Sequence, residues 1–308
     1  MENSKSTFVS ILRRICAEEK IELNAYAYDW VFCLKKGARS RYLYGYKFPI
    51  NDAASASLCD DKGALSEVLE QNGVAHIPHT FFLSPADRHY VGGQGDEKDM
   101  LALLRQYGSD AVIKPNFGTG GYDVCRVRSE EELRRESAEI FKSSSALAMS
   151  PYVEILQEYR AVMLDGTLEL LFEKKRPQVE GNGTDTVAQL AAAQLGDGSV
   201  RLPPKVAEQI PARGQTVLLG WKHNLGQGAQ GRYISDNRLV HTLQPLAASA
   251  MRAAEMRFAS VDIVHTAQGY FVLEINSGVM LEHFASQSAA YRDLATEVYR
   301  RVILRLLA

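Results

Sequence analysis

Apolar residues recur at helical spacing across residues 5–20, where Phe8, Ile11, Leu12, Ile15 and Cys16 share one face, so a helix opens the chain. Residues 23–50 then carry aromatic and β-branched positions on either side of Lys35-Lys36-Gly37-Ala38-Arg39-Ser40, the pattern of two strands joined by a polar turn. Helical spacing returns from Asp60 to Asn72, stopped by Gly73, and from Asp99 to Tyr107, ended by Gly108; Val74 to Leu83, around Pro78, reads as extended. Asp110 to Pro115 reads as a buried strand, Asn116 to Gly121 as a glycine-rich turn, Tyr122 to Arg128 as a returning strand and Glu130 to Ser143 as a helix crossing back. Further strands are predicted at 152–162, 168–175, 216–219, 258–265 and 270–276, and helices at 186–194, 205–209, 244–256 and 286–307. The order predicts an α+β fold with mainly antiparallel sheets.

A chain of 308 residues exceeds one ordinary core, which favours two or three lobes with a cleft between them. A net charge of −2 and a pI near 6.4 argue against a general nucleic-acid binder. The apolar runs are short and broken by charges, and the first residues carry no hydrophobic segment; neither a membrane span nor a signal peptide is expected, and the protein is placed in the cytoplasm. Cys16, Cys33, Cys59 and Cys125 form no CxxC pair and are expected to be reduced, mostly buried thiols. His76 and His79 beside Pro78, and the isolated His241, His265 and His283, read as packing or surface histidines.

Chemistry concentrates in three segments. In Val112-Ile-Lys-Pro-Asn-Phe-Gly-Thr-Gly-Gly121, small residues between two strands let backbone N–H groups approach phosphate oxygens, with the charge of Lys114 beside them. Alone, this run is read at least as well as a hairpin that only turns; it is not a Walker loop, since no Gly-Lys-Ser/Thr follows. In Val261 to Asn276, a hairpin turning near Gln268 would set Asp262 across from Glu274, with Asn276 on the same face. Two such carboxylates repel unless a cation sits between them, and hard oxygen donors suit magnesium bound to phosphates; a solvent-facing polar stripe is the competing reading. In Met149 to Arg160 and Glu173 to Pro177, apolar side chains and open backbone would hold a purine. Glu154 or Glu158 would accept from ribose hydroxyls, and Arg160 and Arg176 would face the reacting phosphate. Each of these charges, taken singly, also reads as a solvated surface residue.

Together the segments resemble the ATP-grasp superfamily over roughly residues 59–285, carried by Asp61-Lys62, Ile113-Lys114-Pro115, Gly118-Thr-Gly-Gly121, Tyr152-Val-Glu154, Glu158-Tyr-Arg160, Asp262 and Glu274-Ile-Asn276. Lys174 to Val187 and Val217 to Ala229 are similar to the ATP-grasp domains of cyanophycin synthetase and bifunctional glutathione synthetase. The resemblance implies two α+β lobes gripping ATP with a small N-terminal lobe, divided at 1–58, 59–150 and 151–308. It implies that Lys62 and Lys114 contact phosphates and that Gly118, Thr119, Gly120 and Gly121 close over them. Tyr152, Val153, Glu154 and Glu158 would lie in the adenosine pocket; Asp262, Glu274 and Asn276 would bind two magnesium ions, with manganese able to substitute. Arg176, Asn224 and Arg160 would contact the γ-phosphate or acyl phosphate. The implied activity is a carboxylate–amine ligase for an amino acid or peptide, working through an acyl phosphate with release of ADP and phosphate. A small-molecule kinase or a non-catalytic nucleotide-binding domain are the alternatives, and a homodimer would help cover the small N-terminal lobe. Two departures stand out. The segment before Asp61 is shorter than the first domain of D-alanine ligases, and Ser260 stands where those enzymes place an arginine.

Overall fold

In the computed structural model, which describes residues 6–93, 95–118, 120–195, 202–221, 223 and 225–308 (Gln227 by its backbone alone), the opening amphipathic stretch is α1 (Thr7–Glu18). Its Ser6 cap makes no side-chain bond to the first turn; instead the backbone N–H groups of Thr7 and Phe8 donate to the Glu282 carboxylate, at 2.9 Å for Phe8. An acid far along the chain thus satisfies the orphan donors of the first helix. Three antiparallel strands follow, β1 (Glu22–Tyr26), β2 (Val31–Lys36) and β3 (Arg39–Tyr44), where the sequence pattern suggested two. The polar turn at Gly37-Ala38 is the predicted one. The additional strand β1 buries none of its residues, so its pattern gives no amphipathic signal. It joins β2 through Ala27, Tyr28 and Asp29, all left-handed (φ 50°, 57° and 65°), at a cost of about 1–2 kcal/mol each. Arg13 donates to both Asp29 oxygens at 3.2 Å and holds this turn.

The next segment builds α2 (Ala53–Asp60), α3 (Lys62–Gln71), β4 (Thr80–Leu83), α4 (Glu97–Gln106), β5 (Ala111–Pro115), β6 (Cys125–Val127), α5 (Glu130–Ile140) and β7 (Ala146–Pro151). Its strands form an antiparallel sheet in the order β4-β7-β5-β6 over a core of Phe82, Leu104, Ile113, Val127, Leu133 and Leu147. The remainder supplies β8 (Gln157–Leu164), β9 (Thr167–Lys175), β10 (Gln178–Glu180), α6 (Val187–Leu195), α7 (Pro204–Ala207), β11 (Thr216–Leu218), β12 (Gln230–Tyr233), α8 (Asn237–Ala253), β13 (Phe258–Thr266), β14 (Gly269–Asn276), α9 (Glu282–Ala285) and α10 (Ala289–Leu307). Five of these strands form an antiparallel sheet ordered β12-β9-β8-β13-β14, and β10 pairs with β11 in a small flap.

Strand alternation gives the five-stranded sheet two faces. Tyr159, Ala161, Leu171, Val261 and Ile263 pack under α8 through Leu243, Ala247 and Met251. On the opposite face Val162, Leu170, Phe172 and Phe258 join Phe8, Leu12, Phe32, Leu43 and the α10 residues Tyr299 and Val302 in one core. The N-terminal strands therefore share their core with the C-terminal helix. The four-stranded sheet is tied to the edge of the five-stranded one where Ile77 N–H donates to Val272 O and Val272 N–H to Ala75 O, both at 2.9 Å.

Several boundaries differ from the sequence expectation. Strand β8 starts at Gln157 and not at Tyr152, because residues 152–156 form an irregular connection between the sheets. Helix α8 begins at Asn237 with Asp236 as its cap and runs through Pro245, where a helix start was read. The expected 286–307 helix is α10, which starts at Ala289 because the Ser288 hydroxyl accepts from Tyr291 N–H and caps it, and the short α9 before it was not expected. Cys16, Cys33 and Cys59 are buried thiols outside any disulfide, Cys125 is partly buried, and no helix among the described residues is long and apolar enough to cross a membrane.

Candidate active site

A cleft of about 1070 Å³ lies between the two larger sheets, with the N-terminal strands at one end. The glycine-rich loop leaves β5 and is docked on the start of α3. Lys62 Nζ donates to the carbonyls of Asn116 (3.1 Å) and Gly118 (2.6 Å). The wholly buried Asn116 accepts from Gly63 N–H at 3.0 Å and donates to Asp61 Oδ1 at 2.8 Å, while Asp61 also caps α3. Gly63 is required here, because a Cβ would stand 2.6 Å from that of Phe81. Gly120 and Gly121 have φ of 73° and 68°, a region open to glycine. Thr119 lies outside the described residues.

Lys114, at the end of β5, is buried in the cleft wall and has no hydrogen-bond or ion-pair partner among the described residues. Burial pushes its pKa down to about 8; Glu274 pulls it up and Lys62 pushes it further down. Burial also lowers the pKa of Lys62, against the pull of Glu274 and Asp60. His79 is buried behind them with Nε2 unpartnered, and burial, then Lys114 and Lys62, hold its pKa well below the usual histidine range.

The five-stranded sheet supplies the opposite wall. The register sets Asp262 across from Arg160 on one side and Glu274 on the other. Asn276 Nδ2 donates to Glu274 Oε1 at 3.2 Å and to Asp262 Oδ2 at 3.5 Å, so the three oxygen-bearing side chains converge. The positive charge that the paired carboxylates call for is present at Asp262 as side chains. Arg160 grips both oxygens of the wholly buried Asp262 at 2.7 Å, and Lys174 Nζ donates to Oδ2 at 2.9 Å and to Glu158. Burial alone would raise the Asp262 pKa, but Arg160 and Lys174 outweigh it and hold it well below the carboxylate range. Burial raises the pKa of Glu158 in spite of Lys174. His223 Nδ1 stands 3.5 Å from Glu158, and burial, then Arg176 and Lys174, lower its pKa to about 4.

Farther along, Tyr152, Val153 and Ile155 line the cleft. The Arg126 guanidinium lies 3.2 Å from the Tyr152 ring centroid and is itself held by both Asp110 oxygens, at 2.7 and 2.6 Å. Trp221 meets Tyr152 edge-on at 6.1 Å.

A RimK-like ATP-grasp domain model matches residues 213–302. A bifunctional glutathione synthetase from Pasteurella multocida superposes with a TM-score of 0.59 over 95% of this chain, at 17% identity and 44% of its own length. A D-alanine–D-alanine ligase from Bacillus anthracis superposes at 0.53 over 83% of this chain and 71% of its own, at 15% identity. The chain has the ATP-grasp fold. A protein of Alkalilimnicola ehrlichii named "Probable alpha-L-glutamate ligase" is 24% identical over 252 residues, 82% of this chain. This chain spans 66% of that relative's length, and less than half of the glutathione synthetase.

Within the ATP-grasp cleft the structure gathers Lys62, Lys114, Gly118, Gly120, Gly121, Tyr152, Val153, Glu158, Arg160, Glu274 and Asn276, with Asp262 buried behind them. Two expected contacts are not gathered. Glu154 is exposed and away from the cleft, because its neighbours Val153 and Ile155 are the ones turned inward. Arg176 lies beyond the end of β9, half-buried, and does not line the cleft. Asn224 lies outside the described residues. Sequence reading missed Lys174 and His223. For Lys174 the signal was present: alternation from the inward Phe172 turns Lys174, and not Lys175, into the site, while Arg176 shares that parity but lies past the end of β9.

The depressed Lys114 pKa gives a signed prediction. A phosphate beside the ammonium favours the charged form, so above pH 8 nucleotide binding must take up a proton. Affinity for an ATP analogue is expected to fall by up to roughly tenfold per pH unit above 8 and to level off below it. Calorimetric titrations in buffers of different ionisation enthalpy would show that uptake; its absence at pH 9 would exclude Lys114 as a phosphate contact.

Proposed function

We propose that this protein is an ATP- and magnesium-dependent carboxylate–amine ligase acting on an amino acid or peptide, and that the protein is cytoplasmic, as the thiols of Cys16, Cys33 and Cys59 suit. One observation carries the reading. Lys114 is a buried ammonium without an anionic partner among the described residues, set between the glycine loop and Glu274 in the cleft wall. Such a charge is costly unless an anion compensates it, and a nucleotide's terminal phosphates would do so.

Glu274 and Asn276 offer hard oxygen atoms to the cleft and fit one magnesium ion. Asp262 is already neutralised by Arg160 and Lys174, so it would serve a second ion only by giving up one of them. Bound magnesium would supply charge neutralisation on the phosphates. Lys62 and Lys114 would hold those phosphates under the glycine loop. A substrate carboxylate oxygen would attack the γ-phosphorus, the bond to the β–γ bridging oxygen would break, and ADP would leave an acyl phosphate. The amine would then attack the acyl carbon through a tetrahedral intermediate, releasing phosphate as the amide forms.

Incubation with ATP, magnesium and a panel of amino acids, with and without hydroxylamine, tests this. A ligase is expected to give a hydroxamate that depends on the presence of its carboxylate substrate. Phosphate esters in place of hydroxamates would identify a kinase, and the absence of any ATP turnover would overturn the catalytic reading.

A further inference from the structure

The N-terminal end of the cleft is walled by aromatic rings that the nucleotide machinery does not use. Trp30 and Tyr44 line the cleft yet are 46% and 61% exposed, and Tyr46 lines it beside them. The Trp30 indole stands edge-on to both tyrosines, 6.1 Å from Tyr44 at 80° and 6.0 Å from Tyr46 at 90°. The indole thus forms a corner with each tyrosine, and Met280 lines the cleft with them.

The backbone is strained to put Trp30 there. Ala27, Tyr28 and Asp29 are consecutive left-handed residues without a glycine among them. Arg13 fixes the turn through Asp29, and Trp30 follows directly. The ring then lies over Gly45, where any Cβ would come within 2.6 Å of the indole. A short hairpin needs none of this, since one Asn-Gly pair would turn the chain. Backbone strain held by surrounding structure, next to an incompletely covered aromatic ring, marks a functional position.

Electrostatics selects the occupant. Lys47 and Asp60 are paired at 2.8 Å, and Ser277 donates to the other Asp60 oxygen at 3.5 Å, so neither charge is left over for a ligand. Lys62 and Lys114 line the same cleft and repel a cationic side chain. An acidic side chain would lose its hydration against three aromatic rings and a thioether. We propose that the Trp30–Tyr44–Tyr46 corner is the side-chain subsite of the substrate and selects an amino acid, free or terminal in a peptide, with an aromatic or large apolar side chain. This assignment rests on the ligase reading of the same cleft.

The test is calorimetric titration of the full chain, holding magnesium and a non-hydrolysable ATP analogue, with L-phenylalanine, L-leucine, L-glutamate and L-lysine. Phenylalanine is expected to bind at least roughly tenfold more tightly than glutamate or lysine. Trp30→Ala should remove most of that preference while Trp30→Phe retains it, with affinity for the ATP analogue unchanged in both. Glutamate binding more tightly, equal affinities across the panel, no binding of phenylalanine, or a preference unaltered in a folded Trp30→Ala protein would each overturn the subsite. Hydroxamate formation separates the two readings: phenylalanine binding without ATP turnover would sink the ligase and leave the subsite standing.

Discussion

Replacing Lys114 with methionine is expected to lower kcat/KM for ATP by about 10²–10³-fold and, in the same protein, to raise thermal stability. The opposite signs follow from one fact. Burial brings the Lys114 pKa from 10.5 to about 8, so folding at neutral pH carries a charge the interior disfavours. A shift of that size corresponds to about 3 kcal/mol, fully present below pH 8 and relieved as pH rises toward the unfolded value. Methionine keeps the length of the side chain and removes the charge. Unfolding of Lys114→Met at pH 7 should therefore occur several degrees higher than in the unaltered protein. The gain should vanish near pH 10, where the unaltered lysine is itself neutral when folded. Lys62→Met provides the contrast: Lys62 donates to the carbonyls of Asn116 and Gly118, so its loss should reduce both turnover and stability. If Lys114→Met lost stability along with activity, Lys114 would be a structural cation and its phosphate role would fall.

The same distinction between local pattern and tertiary partner explains what the sequence could disclose. Period-two alternation and a turn at Gln268 were enough to place Asp262 opposite Glu274, because hairpin register depends on residues adjacent in sequence. The glycine loop between β5 and β6 was legible for the same reason. What occupies Asp262 was not, since Arg160 and Lys174 reach it from strands about 90–100 residues earlier. The carboxylate repulsion that suggested a metal is met by side chains that alternation alone had not singled out as partners. Strand β1 escaped notice because only Leu23 of it packs on the core, and that partly, and its turn is built by left-handed non-glycine residues, which leave no composition signal. Glu154 was misplaced by extending β8 backward: residues 152–156 are an irregular connection in which Val153 and Ile155 line the cleft and Glu154 is left outside.

Removing the Asp262 carboxylate is expected to be the most destabilising single change at the site. Arg160 and Lys174 are both buried and share Asp262 and Glu158 as their anions, two positive groups against two negative ones. Asp262→Ala leaves Arg160 and Lys174 to the single carboxylate of Glu158 in a largely buried wall of the cleft. Breaking a buried network of this kind costs about 3–5 kcal/mol, most of it the penalty of stranding the remaining charge. Chemical denaturation should show the deficit as a lower midpoint with an unchanged slope. Its pH dependence is fixed in sign. Because Arg160 and Lys174 hold the Asp262 pKa well below the ordinary carboxylate value, its stabilisation is present at any pH above that value and is lost only as pH falls through the folded-state one. The gap between the two proteins should therefore be constant from about pH 6 to 9 and close only in strong acid. A combined Asp262→Leu, Glu158→Leu, Arg160→Met and Lys174→Met protein removes all four charges together and should recover much of the lost stability without recovering turnover, since apolar groups can fill the volume of a buried ion network but offer nothing to a phosphate. An Asp262→Ala protein that melted within a degree of the unaltered one would show that the network is not what holds this wall of the cleft in register.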